Sequence, residues 1–306
     1  MPEAHANPIS AVTRYCAVFG HPIKHSASPA MQNAGLAALA LDWRYLACEV
    51  RPEELPAAIT GAKAMRFLGL NLTVPHKLLA VEMMDVLDAS AQQWGAVNTV
   101  RFEAKDAQGQ WQPLAELPAE NAAEIRAHGF NTDADAITRS LREDLKIEPR
   151  GARILLLGAG GAGRTAALKL ASDGALELFL VNRTASKAAQ VAAEIRQRFP
   201  AVKVSTGYPA NTVDLILNAT SLGLKPSDGS PLDESQFALS KAGAVYDMIY
   251  RPAETPLLKA AKAAGCRTAN GLGMLLYQGA KALEIWSGRP APIDAMRRAL
   301  EKNVYG

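Results

Sequence analysis

Three cysteines in 306 residues (Cys16, Cys48 and Cys266) are too few and too scattered for a disulfide framework, and none has metal-ligand spacing. A reducing compartment is therefore expected. No apolar run reaches the ~18 residues that a membrane-spanning helix takes. Met1–Ser10 is polar and proline-bearing, without the apolar centre of a secretory signal, so a cytoplasmic location is expected. Charge of one sign is also missing: 33 Lys+Arg against 30 Asp+Glu leave +3, which gives no reason to expect a nucleic acid or a membrane as partner. Internal repeats and long low-complexity linkers are absent. What remains, 49% hydrophobic and 21% charged residues, is the composition of a soluble globular enzyme and excludes a disordered or collagenous chain. The length favours two domains.

Short β-type runs alternate with alanine-rich helical stretches, which predicts an α/β protein with parallel sheets. The first half offers strands at Tyr15–Phe19, Arg44–Val50, Gly69–Val74 and Ala96–Phe102, with helices at Pro29–Leu41, Pro52–Lys63 and His76–Leu87. The second half offers strands at Arg153–Leu157, Leu176–Val181, Asp214–Asn218 and Ala244–Met248, with helices from about Arg164 and over Ser186–Phe199. Lys105–Arg126 breaks the rhythm and reads as a hairpin or an inserted excursion. Pro149 and Gly151, within Lys146–Gly151, separate a helix from a new strand and mark a break between domains.

That strand runs directly into a glycine cluster. Gly158, Gly160 and Gly163 fill a G-x-G-x-x-G pattern between a buried strand and a helix, the context that a dinucleotide-binding turn requires. Glycines let a pyrophosphate approach the backbone, where helix N-terminal amides and the helix dipole favour negative charge. A purely structural turn is the plain alternative. An NAD site places Asp or Glu about 20 residues on, to bind the ribose 2′-hydroxyl. Nineteen positions beyond Gly163 stand Asn182, Arg183 and Thr184, with Lys187 close behind. Two cations without a carboxylate suit a 2′-phosphate, so the cofactor is expected to be NADP(H). The plainer reading is a solvated helix start with Thr184 as its cap.

In the first half, Ser26, Ser28 and Pro29 form a helix start. Ser28 suits the cap, and both serines would lie beside free amides that favour a carboxylate. His21 and His25 do not make a metal site, because Pro22 breaks helical spacing and no third ligand is offered. Pro75 marks another helix start and leaves Lys77 in its first turn, at the end of the dipole that disfavours a cation. Surface lysines are ordinarily solvated, but this one lies just past a strand end. Further on, Asn98 and Asp133 add polar groups at a strand start and before a helix, although Asp133 serves equally well as a cap for Ala134–Leu145.

Taken in order, these motifs resemble one family. His25-Ser26-x-Ser28-Pro29, Asn71-x-Thr73-x-Pro75-x-Lys77, Gly95-Ala96-x-Asn98-Thr99 and Asn131-Thr132-Asp133 precede the glycine turn and Asn182-Arg183-Thr184. Asn218-Ala219-Thr220, Tyr246-Asp247-Met248-x-Tyr250 and Asn270-Gly271-x-Gly273-Met274 follow. The succession is similar to shikimate dehydrogenase, an NADP-dependent family that reduces 3-dehydroshikimate to shikimate in aromatic amino-acid biosynthesis.

The resemblance implies an α/β substrate domain followed by a Rossmann-type NADP-binding domain, with a cleft between them. It implies residues 1–132 with 271–306 for the first and 133–270 for the second. It makes Lys77 and Asp133 the catalytic pair, Lys77 donating or accepting the proton. Ser26, Ser28 and Tyr250 would hold the substrate carboxylate and Thr73 and Asn98 its hydroxyls, with Gln278 a further substrate group. The turn from Gly158 through Ala159, Gly160, Gly161 and Ala162, then Asn182, Arg183, Thr184 and Lys187, and finally Thr220, Met248 and Gly271, would contact the cofactor. Departures are Ala134 and Ala136 where the family has glycine close by, the long Glu103–Arg126 connection, and Lys187 where arginine is more frequent. A quinate/shikimate dehydrogenase and a non-catalytic NADP-sensing regulator are the alternatives. The expected partner is a small-molecule substrate, for a monomer or homodimer.

Overall fold

Residues 8–118, 124–225 and 227–306 are described by the computed structural model. Residues 1–7 of the polar N-terminus and 119–123 of the Glu103–Arg126 connection lie outside the described residues. Packing divides the chain into two units, Met1–Thr132 with Leu276–Gly306, and Asp133–Leu275.

The first unit contains β1 (Arg14–Gly20), α1 (Ser28–Ala38), β2 (Trp43–Glu49), α2 (Leu55–Ala64), β3 (Gly69–Leu72) and α3 (His76–Leu79). β4 (Val86–Leu87), α4 (Ala89–Trp94), β5 (Thr99–Lys105), β6 (Trp111–Pro113) and β7 (Ile125–Phe130) follow. They build a mixed sheet in the order β2-β1-β3-β5-β7-β4, with β6 on β5. β1 pairs parallel with β2 and β3, whereas β5 runs antiparallel to β3, β6 and β7. From Cys16 to Gly20 every residue of β1 is buried, the pattern of a central parallel strand.

One expectation is corrected in this unit. His76–Leu87 is not one helix: α3 ends at Leu79, a 3₁₀ turn takes Ala80–Met83, and Val86–Leu87 become β4. Sheet pairing outweighs local propensity there, because Val86 and Leu87 find parallel partners in His128 and Gly129, while Asp85 accepts from the Ala127 amide at 2.6 Å. The Lys105–Arg126 segment opens as a hairpin of β5 and β6, closed by the Asp106 carboxylate, which accepts from the Gln108 and Gln110 amides at 2.9 and 2.8 Å.

The second unit contains α5 (Asp133–Leu145), β8 (Arg153–Leu157), α6 (Gly161–Ser172), β9 (Glu177–Val181), α7 (Ala185–Arg198) and β10 (Lys203–Thr206). β11 (Val213–Asn218), β12 (Ala242–Asp247), α8 (Pro256–Ala263) and β13 (Arg267–Asn270) complete its sheet, and α9 (Leu272–Ser287) begins in it. All pairings are parallel, in the order β10-β9-β8-β11-β12-β13. This is the doubly wound order in which the chain reverses direction between β8 and β11, the place where such sheets bind ligands.

The later part of α9 and α10 (Ile293–Tyr305) belong to the first unit. Trp286 of α9 is buried against Gly69, where any side chain would collide with the indole, and its Nε1 donates to the Val100 carbonyl at 2.9 Å. Gln32 of α1 donates to the Gly279 carbonyl at 2.8 Å.

Candidate active site

Four leucine and isoleucine side chains bury β8, and the turn after it has little freedom. Gly158 has φ +105°, a left-handed conformation that glycine alone adopts without cost, and a Cβ there would touch the Ala219 backbone at 3.0 Å. Gly163 presses on the Gly158 carbonyl so closely that a side chain would collide with it. α6 therefore starts directly on the turn, and its first amides, which have no helical partners, open towards the reversal point. A Cβ at Gly160 or Gly161 would meet nothing within 4 Å, so space remains over those amides.

A groove of about 600 Å³ opens there. Of the expected cofactor residues, Gly158, Gly160, Asn182, Arg183, Thr184, Lys187 and Thr220 line it. Thr184 precedes α7 but makes no side-chain cap bond. Asn182 shapes the site as well as lining it: its Oδ1 accepts from the Ala159 amide at 2.9 Å and its Nδ2 donates to the Thr184 carbonyl at 2.9 Å. The Ala159 amide is thus engaged within the protein, and Ala159 itself is buried and off the groove lining. Gly161 and Ala162 form the first turn of α6. Met248 and Gly271 lie off the lining at the ends of β12 and β13, where Gly271 packs onto the Met248 carbonyl. Thr220 is fixed by Asn218, whose Oδ1 accepts from its amide and hydroxyl at 3.0 and 2.8 Å. Asn218 in turn donates to Asp247 at 2.9 Å. Burial pushes the Asp247 carboxyl up, against hydrogen bonds from Thr255, Ile249 and Asn218.

Ser221, Tyr208, Pro231, Asp233 and Gln236 also line the groove and were not anticipated. They come from loops without a motif, and only the sheet topology brings them to the turn.

In the first unit, loops at the strand ends gather most of the other expected residues. Ser28 is the first residue of α1 and does not cap it: Ala27 is the N-cap, without a side-chain bond. The Ser26 hydroxyl takes part of that role, accepting from the Ser28 amide at 3.3 Å. Thr73 is half-buried, and its amide donates to the Phe19 carbonyl at 3.0 Å, tying β3 to the end of β1. Lys77 is half-buried in α3, and its carbonyl accepts from the Val97 amide at 2.8 Å, immediately before Asn98.

Asn98 is 1% exposed and already committed: its Oδ1 accepts from the Thr132 amide at 2.7 Å, and its Nδ2 donates to the Thr132 hydroxyl at 2.9 Å. One amide proton is left for a ligand. Asn71 braces the same region, accepting from the buried Tyr45 hydroxyl at 2.7 Å and donating to Thr99 Oγ1 at 3.0 Å. His76 is buried with Nε2 2.8 Å from the Val50 carbonyl. Burial, aided by the nearby His21 and opposed by the Val50 carbonyl, pushes its pKa down, so the ring is neutral near pH 7 and donates through Nε2.

Asp133 is the first residue of α5 and is buried. Tyr250 follows β12, half-buried, with its hydroxyl pKa raised by burial against the opposing Arg251 charge. Gln278 lies on α9, which Gln32 ties to α1 at the next residue.

A doubly wound parallel sheet, a glycine turn at its reversal point and a cationic groove beyond it define a Rossmann-type dinucleotide-binding protein. The shikimate dehydrogenase substrate binding domain family matches residues 18–100, shikimate / quinate 5-dehydrogenase matches 141–223, and the shikimate 5′-dehydrogenase C-terminal domain matches 271–301. A shikimate dehydrogenase (NADP(+)) of Methanopyrus kandleri is 38% identical over 303 residues, covering 97% of this chain and 98% of that one. A crystal structure of a shikimate dehydrogenase in complex with NADP+ is 34% identical with a TM-score of 0.84, covering 99% of each chain. The ligand-free 5-ketofructose reductase of Gluconobacter sp. strain CHM43 is 33% identical with a TM-score of 0.78, covering 96% of this chain and 99% of that one. The chain belongs to the shikimate dehydrogenase family. No helix among the described residues is long and apolar enough to cross a membrane.

Proposed function

We propose that this chain catalyses the NADP-dependent, reversible reduction of 3-dehydroshikimate to shikimate, in the shikimate route to chorismate and the aromatic amino acids. The observation that carries this reading is the groove beyond the glycine turn, which offers Arg183 and Lys187 where an NAD site would offer a carboxylate. The residues fit the cofactor: open space lies over the first amides of α6 for a pyrophosphate, and a guanidinium and an ammonium suit a 2′-phosphate. The nicotinamide, when bound, supplies the hydride.

Every other part of the chemistry belongs to the chain. Lys77 gives a proton to the carbonyl oxygen during reduction and takes it back during oxidation. Asp133 is its catalytic partner and orients a ring hydroxyl. Ser26, Ser28 and Tyr250 bind the carboxylate, Thr73 and Asn98 bind hydroxyls, and Gln278 completes the substrate contacts. Asn98 makes its contact through its one uncommitted amide proton, while its Oδ1 keeps the backbone before Asp133 in place. Residues 1–132 with 271–306 form the substrate-binding and catalytic domain, and 133–270 form the NADP-binding domain. The enzyme acts in the cytoplasm as a monomer or homodimer, with no nucleic acid or membrane partner. Its cysteines are free, and Cys16 and Cys266 are buried, as suits a reducing compartment.

Quinate is the second substrate to consider, because the family matched over 141–223 covers both acids and pockets discriminate weakly against an added hydroxyl unless built to reject it. The test is the rise of the near-ultraviolet NADPH band on mixing purified protein with NADP+ and shikimate, quinate or a reduced keto-sugar. Shikimate is expected to give the highest kcat/KM. A higher value for another substrate would replace the assignment, and no turnover with any would leave an NADP-sensing protein.

A further inference from the structure

The groove that receives Arg183 and Lys187 also receives a carboxylate, and this acid is held firmly. Tyr208, just after β10, packs against the hydrophobic cluster that contains Leu232 and Phe237. Its hydroxyl accepts from the Asp233 amide at 3.0 Å, and the Asp233 carbonyl accepts from the Gln236 and Phe237 amides at 3.0 and 3.1 Å. The Asp233 side chain is equally constrained: Oδ1 accepts from the Ser235 amide and hydroxyl at 3.1 and 2.6 Å, and Oδ2 accepts from Gln236 Nε2 at 2.8 Å. The Ser235 and Gln236 hydrogen bonds hold its carboxyl below the usual range, so it is anionic near pH 7. A fixed negative charge in the same groove as the cations chosen for a 2′-phosphate opposes the binding of that phosphate.

We propose that Asp233 is a specificity-determining residue of the cofactor groove, weakening the grip on the 2′-phosphate and so narrowing the preference for NADP(H) over NAD(H). The inference rests on reading the groove as the NADP site. It predicts an electrostatic effect on one phosphate and none on the rest of the nucleotide. A merely structural role in the Pro231–Gln236 loop would instead loosen every nucleotide alike.

Two probes that differ only by the 2′-phosphate separate these roles: 2′,5′-ADP and AMP, titrated calorimetrically into the intact protein. Asp233→Asn keeps an acceptor for Ser235 and removes the charge. It should tighten 2′,5′-ADP about 2- to 5-fold at low salt, with the gain fading towards ~1 M salt, because an exposed charge acts over roughly one Debye length. AMP binding should stay within the error of the measurement. Equal shifts for both probes, no shift, or weaker 2′,5′-ADP binding would overturn the proposal. Asp233→Ser, which also removes the charge, serves the same comparison if the asparagine variant does not fold. Arg183→Ala tests the underlying reading: it should weaken 2′,5′-ADP and leave AMP unchanged, and if it shifts both probes equally or neither, the groove is not a 2′-phosphate site, whatever Asp233 does.

Discussion

Lys77 carries its amine on a backbone pinned on both sides. The His76 amide donates to the Thr73 carbonyl at 2.8 Å, and the Lys77 carbonyl holds the Val97 amide. Truncation of its side chain should therefore leave the loop in place. For Lys77→Met, kcat is expected to fall by about 10²–10⁴-fold, the ordinary worth of a positioned acid or base, with KM for shikimate changed little. Steady-state kinetics of the purified variant decide the matter, and near-wild-type turnover would take Lys77 out of the reaction. On the proposed reading, Arg183 acts on binding alone. Arg183→Ala removes a charge-assisted contact worth roughly 1.5–3 kcal/mol, so KM for NADPH should rise about 10- to 100-fold while KM for NADH hardly moves. Parallel increases would reject the 2′-phosphate assignment.

Among the elements, β5 carries the most concentrated electrostatics of the first unit. Glu103 is 2% exposed and meets Arg101, Arg126 (2.7 Å) and His128 (3.0 Å). Burial alone would raise its pKa, but hydrogen bonds from His128, Arg101 and Arg126 outweigh it and bring the carboxyl down to about 2. A folded pKa below the unfolded value of ~4.3 means stability that is present above that value and drains as pH falls towards about 2. Urea midpoints measured across that window should drop in the wild type and flatten in Glu103→Gln. At pH 7 the variant should be less stable by about 3–5 kcal/mol, since two guanidinium groups lose their buried partner; a midpoint unchanged at pH 7 would count against this. At the α9–sheet contact, Trp286→Ala empties the space over Gly69 and removes the indole bond to the Val100 carbonyl, and should cost about 3–5 kcal/mol in the same measurement.

At the level of the molecule, local features were legible and long-range pairings were not. β8, the glycine turn and α6 could be read from the sequence because a buried strand, three spaced glycines and a helix are local features, and β8 spans Arg153–Leu157 as anticipated. β4 and β13 could not, because two or four residues become strands only through partners far along the chain. Nor could the Tyr208–Asp233 wall, which depends on a hydrogen bond between residues 25 positions apart. The division of labour between the units can be tested without catalysis. Buried amides of parallel central strands exchange with solvent only when their unit opens, so a ligand that binds the native unit slows them by the factor 1 + [L]/Kd. With 2′,5′-ADP at ~100 times its Kd, amides of β8, β9 and β11 should exchange about 100-fold more slowly, equivalent to about 2.7 kcal/mol. Shikimate alone should slow β1 and β3, the parallel strands whose following loops carry Ser26 and Thr73. Hydrogen-exchange mass spectrometry resolves the two sets of peptides. Shikimate that protects β8 and β9 while leaving β1 and β3 unchanged would reverse the assignment of substrate to the first unit, whatever the kinetics of Lys77 variants.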